Sequence, residues 1–318
     1  MQSKGAVFTP NLLHPRLWST WLLFGLWRAV TILPFPVLLK LGTALGLLLH
    51  SIPNRRRTIA HRNIQLCLPN LSDQEQRAML RANCINTGIA VMEVGIAWWW
   101  SKKRFSKLLQ FEGLENLAVE EGRGTMLLGI HFTTLEIGTA ALGTVIARDG
   151  MYRAHGNPVY DFIQARGRLH KGTSTDVIYE RRDVRGTMKA LKAGRRLWYG
   201  PDQDYGLQQG LYAPFFGIQA ATVYATARFA EKTGAAVVPF SHIRLPGSQG
   251  YKITVYPALE DFPSGDDLVD ATRINKIVEE FILLQPEQYL WVHRRFKNRP
   301  ESEADVYGLP DRKKKRKK

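Results

Sequence analysis

The sequence predicts an α/β fold: a mixed central sheet flanked by helices, preceded by an N-terminal hydrophobic membrane-anchor helix. Three observations carry this reading. Short apolar runs of strand length alternate with helical patterns from about residue 125 onward. A long helix with a capping signature comes before them. The first fifty residues are much more apolar than the rest.

In chain order, residues 17–33 (LWSTWLLFGLWRAVTIL) carry one charge, Arg28. As a single helix they rise about 25 Å, at the short end for a bilayer span. Pro34 and Pro36 should break or kink the helix before VLLKLGTALGLLL. Trp18, Trp21 and Trp27 suit a headgroup belt. Arg55, Arg56 and Arg57, which follow, would keep the body on the cytoplasmic side. A secretory signal fits poorly: the positive n-region is weak, His14-Pro15 intrudes and no small-residue cleavage site follows. A buried core helix is the competing reading. The expectation is a retained anchor, either one short span or a helix inserted into one leaflet.

Ser72-Asp73-Gln74-Glu75 is a capping-box pattern opening a long helix towards AWWWSKK. Strands are expected at TMLLGI (125–130), TDVIYE (175–180), RLWYG (196–200), AAVVPF (235–240) and YKITVYP (251–257). Helices are expected at 157–170, 183–193, 219–232 and 267–284. The chain divides into an anchor region (1–54), an α/β body (55–305) and a basic tail (306–318).

With 318 residues, 45% of them hydrophobic, the chain can bury a full core. Cys67 and Cys84 form no zinc or CxxC spacing and read as ordinary thiols of a reducing compartment. The net charge is +16. The last eight residues, DRKKKRKK, hold seven basic and one acidic residue, +6 of that total, and read as a disordered arm. The other +10 belongs to the body and implies an anionic partner: a phospholipid surface, nucleic acid or an acidic protein. No RRM, KH or zinc-finger pattern supports nucleic acid.

The strand TMLLGI ends in His131, and Glu136 follows five residues later. Five residues on a helix are roughly 140° out of phase. The two therefore meet only if His131 lies in the turn and Glu136 in the first helical turn. A carboxylate on one imidazole nitrogen fixes the tautomer and makes the other nitrogen more basic, which suits deprotonation of a hydroxyl. A satisfied core histidine is the bland alternative at this level. There is no HEXXH, no GxSxG elbow and no cysteine in a catalytic setting. The base would then act on the substrate's own hydroxyl, with neither metal nor cofactor.

HFTTLEIG (131–138) resembles the HX4(D/E) motif of the glycerolipid acyltransferase superfamily. Within it, the chain is similar over nearly its whole length to the late acyltransferases of lipid A biosynthesis. The matching segments are LLHPRLWSTW, RRRTIAHRNIQLCLPNLSDQEQ, YRAHGNPVYDFIQARGRL, WYGPDQDYG, APFFGIQAAT and QPEQYLWVHRRFKNRP. The resemblance is strongest to the lauroyl-adding branch. It implies transfer of an acyl chain from acyl carrier protein to the hydroxyl of a 3-hydroxyacyl chain on Kdo2-lipid IV(A), at the cytoplasmic face of the bacterial inner membrane. The same dyad would serve a phosphatidyl-inositol mannoside or an ornithine lipid. A non-catalytic, basic membrane-binding protein is the rival from another class.

The resemblance makes His131 the general base and Glu136 its orienting carboxylate. Arg168 would stabilise the oxyanion or bind a substrate phosphate, with Arg166 as its competitor. Asp202 and Asp204, in the loop after RLWYG, would position Arg168 or the sugar headgroup, or simply shape a turn. APFFG (213–217) reads as an acyl-chain contact or a hydrophobic loop. Arg181-Arg182-Asp183 reads as a helix cap ahead of an anion contact. WVHRRFK (291–297) reads as a basic-aromatic contact for headgroups or the carrier protein. The basic tail departs from the family pattern.

Overall fold

The structure, a computed structural model, describes residues 7–308. The tail DRKKKRKK lies outside the described residues.

Helices α1 (Trp18–Val30) and α2 (Phe35–Ser51) form a hairpin. The helix expected over 17–33 runs from Trp18 to Val30, and the break expected at Pro34 follows it. Thr31 caps α1, Pro34 is extended and α2 starts afresh, because Pro34 has no N–H to continue the ladder. At 13 and 17 residues the two rise about 20 and 25 Å. Among the described residues no single helix is long and apolar enough to cross a membrane; α2 with the next helix passes only as a pair bent by 91°.

That next helix, α3 (Arg55–Cys67), is capped by Asn54. The capping box then opens α4 (Asp73–Trp99), with the Ser72 hydroxyl on Glu75 N and the Glu75 carboxylate on Ser72 N. α2 lies against α4 at backbone distance: a Cβ on Gly88 would come within 2.3 Å of Gly42 O. Glycine is therefore required there. Two of the three tryptophans assigned to a headgroup belt turn inward. Trp27 donates to Val91 O and stacks edge-on with Trp99, while Trp21 donates to Leu12 O. Trp18 stays 63% exposed.

The body continues through α5 (Lys102–Ser106), β1 (Leu109–Glu112), β2 (Thr125–Leu128), α6 (Leu135–Val145), β3 (Asp149–Tyr152), α7 (Pro158–Leu169) and β4 (Ile178–Glu180). It then runs through α8 (Val184–Lys192), β5 (Arg196–Tyr199), β6 (Gly210–Phe215), β7 (Ile218–Val223), α9 (Ala225–Thr233), β8 (Ala236–Arg244), β9 (Tyr251–Val255) and α10 (Asp267–Leu284). The main sheet has the order β1-β9-β8-β2-β5-β3-β4. It is mixed, as expected: β8 and β9 are antiparallel and the other neighbours parallel. The helix expected over 219–232 is half strand, because ATV in β7 pairs with β6 before α9 begins. β-branched residues and a cross-strand partner win over helical spacing there.

β2 lies at the centre and is buried on both faces, in keeping with a parallel strand. Leu127 points into the cluster with Ile137 and Ala141 of α6 and Trp98 of α4. Met126 and Leu128 point the other way, into the cluster with Leu191 of α8, Phe229 of α9 and Ile274 of α10. This alternation clamps β2 between two helical layers and fixes where its carboxyl end emerges.

The C-terminal segment closes over that end. Thr133 N donates to Gln288 O, and Leu290 N to His131 O. Asn83 holds the carbonyls of Glu287 and Tyr289, and Asn63 those of Trp291 and His293. WVHRRFK is therefore largely structural. Trp291, Arg295 and Phe296 are buried, and the Arg295 guanidinium donates to Ala221 O and Thr222 Oγ1. These three residues, read as part of a surface patch, are core because β6–β7 and α3 cover them, while Lys297 stays exposed. Tyr307 is buried with its hydroxyl on Asn63 Oδ1.

Candidate active site

The β2–β5 register decides the site. Leu128 is opposite Tyr199, and both chains leave the sheet in parallel, so His131 and Asp202 each come three residues later, side by side. His131 N donates to Asp202 Oδ2 at 3.0 Å, and Nδ1 is 2.6 Å from Oδ1. One carboxylate thus fixes both the backbone and the ring. Between the strands there is no room for a side chain at Gly200, whose Cβ would fall 2.9 Å from His131 Cε1. Trp198 meets the imidazole edge-on at 5.8 Å. The His131 side chain is 18% exposed and that of Asp202 fully buried.

Burial works against charge on Asp202. The imidazole of His131 and the hydrogen bonds from its ring and backbone outweigh that penalty and hold the carboxyl down to about 2. An ionised Asp202 accepts from Nδ1–H, which leaves the Nε2 lone pair for a proton. Two other histidines lie nearby in other roles. His242 hydrogen-bonds Thr134 Oγ1 and His293 Nε2 accepts from Asp204 N; burial pushes each down to about 4, so both stay neutral.

Glu136 sits in the first turn of α6, as expected, but its carboxylate does not serve His131. It takes Arg168 Nε at 2.9 Å, a second bond from Arg168 Nη2, and Trp98 Nε1 at 2.8 Å. Burial opposes the charge on Glu136, yet Arg168 and then Trp98 and Arg148 leave its carboxyl below the usual range. Burial likewise opposes the Arg168 charge, and Glu136 restores it. Both members of the expected dyad are in place with partners exchanged, because α7 delivers Arg168 to the side of α6 that Glu136 faces.

Arg166 is two residues from Arg168 on α7, roughly 200° around the helix. It points to solvent, with its guanidinium 5.6 Å from the Phe162 ring centroid, and does not join the site. Asp204 is buried but ties the loop: it accepts from Gly206 N, Asn298 N and Asn298 Nδ2. Its turn-shaping reading prevails. Phe215 of APFFG is core, against Phe296, and Phe216-Gly217 make the hairpin turn at positive φ. Asp183 caps α8 through Gly186 N.

A small cavity opens between α6, α7 and the β3–β5 edge. Leu135, Met151, Ile178 and Trp198 line it, and Glu136 and Arg168 form its polar end. Trp198 is the wall it shares with His131. The arrangement provides a preorganised base with an exposed edge and a fixed cation–carboxylate pair on the neighbouring helix turn. What spacing in the sequence did not reveal was the role of Asp202. The signal for it lay in the equal distance of His131 and Asp202 from the ends of two parallel strands, readable only once those strands are known to be neighbours.

The sequence model of a family described as bacterial lipid A biosynthesis acyltransferase matches residues 6–298. Among the relatives is a lipid A biosynthesis lauroyltransferase of Escherichia coli K12, 41% identical over 96% of this chain and 98% of that one. A lipid A biosynthesis palmitoleoyltransferase of the same organism is 39% identical over 94% of this chain and 98% of its own. A lipid A biosynthesis acyltransferase of Haemophilus influenzae is 35% identical over 93% and 96%.

Proposed function

The chain belongs to the bacterial lipid A biosynthesis acyltransferase family, and on that premise we propose that it moves an acyl chain, lauroyl first among the candidates, from acyl carrier protein to the hydroxyl of a 3-hydroxyacyl chain on Kdo2-lipid IV(A). The observation that carries the reading is the His131–Asp202 pair at the carboxyl end of β2, with Nε2 free to act as base.

Donor and acceptor bind together. His131 Nε2 removes the acceptor hydroxyl proton as that oxygen attacks the thioester carbonyl. The tetrahedral intermediate collapses to the acyloxyacyl ester, and the thiolate of the carrier leaves and takes the proton back from the imidazolium. Asp202 holds the ring and stabilises its charged form, so it is a positioning residue. Glu136 acts through Arg168, fixing a guanidinium on the adjacent wall where negative charge develops or a substrate phosphate lies. No nucleophile of the protein takes part, and no acyl-enzyme forms.

In this reading the reaction takes place at the cytoplasmic face of the bacterial inner membrane. Exposed apolar side chains on the α1–α2 hairpin support a seat in one leaflet, among them Trp18, Leu22, Leu23, Leu26 and Ile32. In this reading residues 1–54 anchor, 55–305 catalyse, and the basic tail 306–318 adds attraction to anionic lipid.

The test is transfer by detergent-solubilised protein, with radiolabelled Kdo2-lipid IV(A) and a panel of carrier thioesters. A product one acyl chain heavier is expected, and the preferred thioester identifies the chain. No product with any donor would overturn this acceptor and redirect the search to other membrane glycolipids.

A further inference from the structure

Three loops leave the same end of the sheet beside His131. Arg153 opens the loop after β3, Arg181 opens the loop after β4, and the loop after β5 carries Asp202 and Tyr205. Because β5, β3 and β4 are adjacent and parallel, the loops emerge next to one another. Arg181 N donates to Tyr152 O at 2.8 Å, which ties two of the loop starts together. The Tyr205 hydroxyl donates to Gln203 Oε1 at 3.2 Å within the third loop, and the Arg181 side chain lies within electrostatic reach of it. Arg153 and Asp202 both lie within electrostatic reach of that hydroxyl, which puts the cluster on the rim of the His131 crevice.

The charge there is net positive. Arg153, Arg181, Arg182 and Arg185 are all exposed. Among the described residues none of them joins an ion pair. Of the acids nearby, Asp183 spends its carboxylate on the α8 cap and Asp161 accepts from His155 N, which leaves exposed Glu180 against the four arginines. Tyr205 is 52% exposed although it is an aromatic side chain held in a defined loop. Guanidinium groups beside an exposed hydroxyl match the acceptor-rich, anionic face of a phosphate ester.

We propose that Arg153 and Arg181, with the Tyr205 hydroxyl, form a phosphate-binding subsite on the rim of the crevice that holds His131. The assignment rests on the acyl-transfer reaction proposed above, whose substrates offer two phosphate sources. One is a phosphate on the glycolipid acceptor. The other is the phosphodiester that links a pantetheine arm to its carrier protein. Arg168 is a separate cation, already committed to Glu136 on the wall of the crevice.

The experiment compares the full chain with its Arg153→Gln/Arg181→Gln variant, varying donor and acceptor in turn. An acceptor subsite raises KM about tenfold or more for the phosphorylated acceptor. It leaves kcat nearly unchanged and does not alter KM for a dephosphorylated acceptor. A donor subsite raises KM for the carrier-linked thioester but not for acyl-pantetheine, which lacks the phosphate. Arg181→Lys, which keeps charge but loses the fork, should fall between. Unchanged KM for both substrates would overturn the subsite, as would equal rises with and without phosphate. Binding of phosphorylated and dephosphorylated lipid A precursor in detergent micelles, in a His131→Ala background, gives a readout that needs no turnover. Absence of transfer by the unmodified chain would sink the proposed reaction, while loss of phosphate discrimination in that binding comparison still reads the subsite.

Discussion

Replacing His131 by Ala should lower kcat by about 10²–10⁴-fold, the usual worth of a general base, with circular dichroism and membrane association unchanged. Asp202→Asn keeps the shape but favours the wrong tautomer, so a loss of similar size is expected, read in the same transfer assay. The same residue carries a pH signature. The folded carboxyl lies at about 2, below its unfolded value of roughly 4. Its stabilising contribution, on the order of 2 kcal/mol, is therefore fully present above about pH 4 and is lost as the pH falls through 2. Denaturant midpoints of the parent and Asp202→Asn should converge over that window; a constant gap would mean that Asp202 is not held as described.

At the scale of elements, the Glu136–Arg168 pair joins α6 to α7 with little exposure, 11% and 22% for the two side chains. Removing Arg168 alone leaves a buried carboxylate without its cation and should cost about 3 kcal/mol. The Glu136→Ala/Arg168→Ala double variant should cost less than the sum of the singles, measured by denaturant melts. The hairpin gives a separate expectation. Leu22, Leu23 and Leu26 are 59–65% exposed on α1, so Leu22→Glu/Leu26→Glu should leave the fold intact and shift the protein from the detergent-requiring fraction to the soluble one. Extraction of the unmodified chain by high salt alone would instead mean that charge, and not this apolar face, holds it.

For the molecule as a whole, a net charge of +16 on 318 residues sets long-range behaviour. Association with an acidic carrier protein should weaken steeply as salt rises, visible as a fall in kcat/KM for the carrier-linked donor. An uncharged short-chain thioester donor should show little of that dependence. The same field favours anionic lipid, so body and hairpin would act together at a membrane surface: charge for approach, apolar area for retention.

The α/β class, the long capped α4, the break at Pro34 and the placing of His131 at a strand end were all legible in sequence, because local physics dictates them. A capping box, a proline without an N–H and an apolar run of strand length act within a few residues of themselves. The tertiary structure alone decided which charges meet. Glu136 follows His131 by five residues, yet the helix turns its carboxylate to Arg168, 32 residues on. Asp202, 71 residues away, reaches the imidazole because β2 and β5 are parallel neighbours in matching register. The same holds for WVHRRFK, charged and aromatic in sequence but with Trp291, Arg295 and Phe296 interior in space, and for β7, where a pairing partner overrode helical spacing. Short-range preferences fix what each segment is; strand order and register, which sum contacts from the whole chain, fix what it touches.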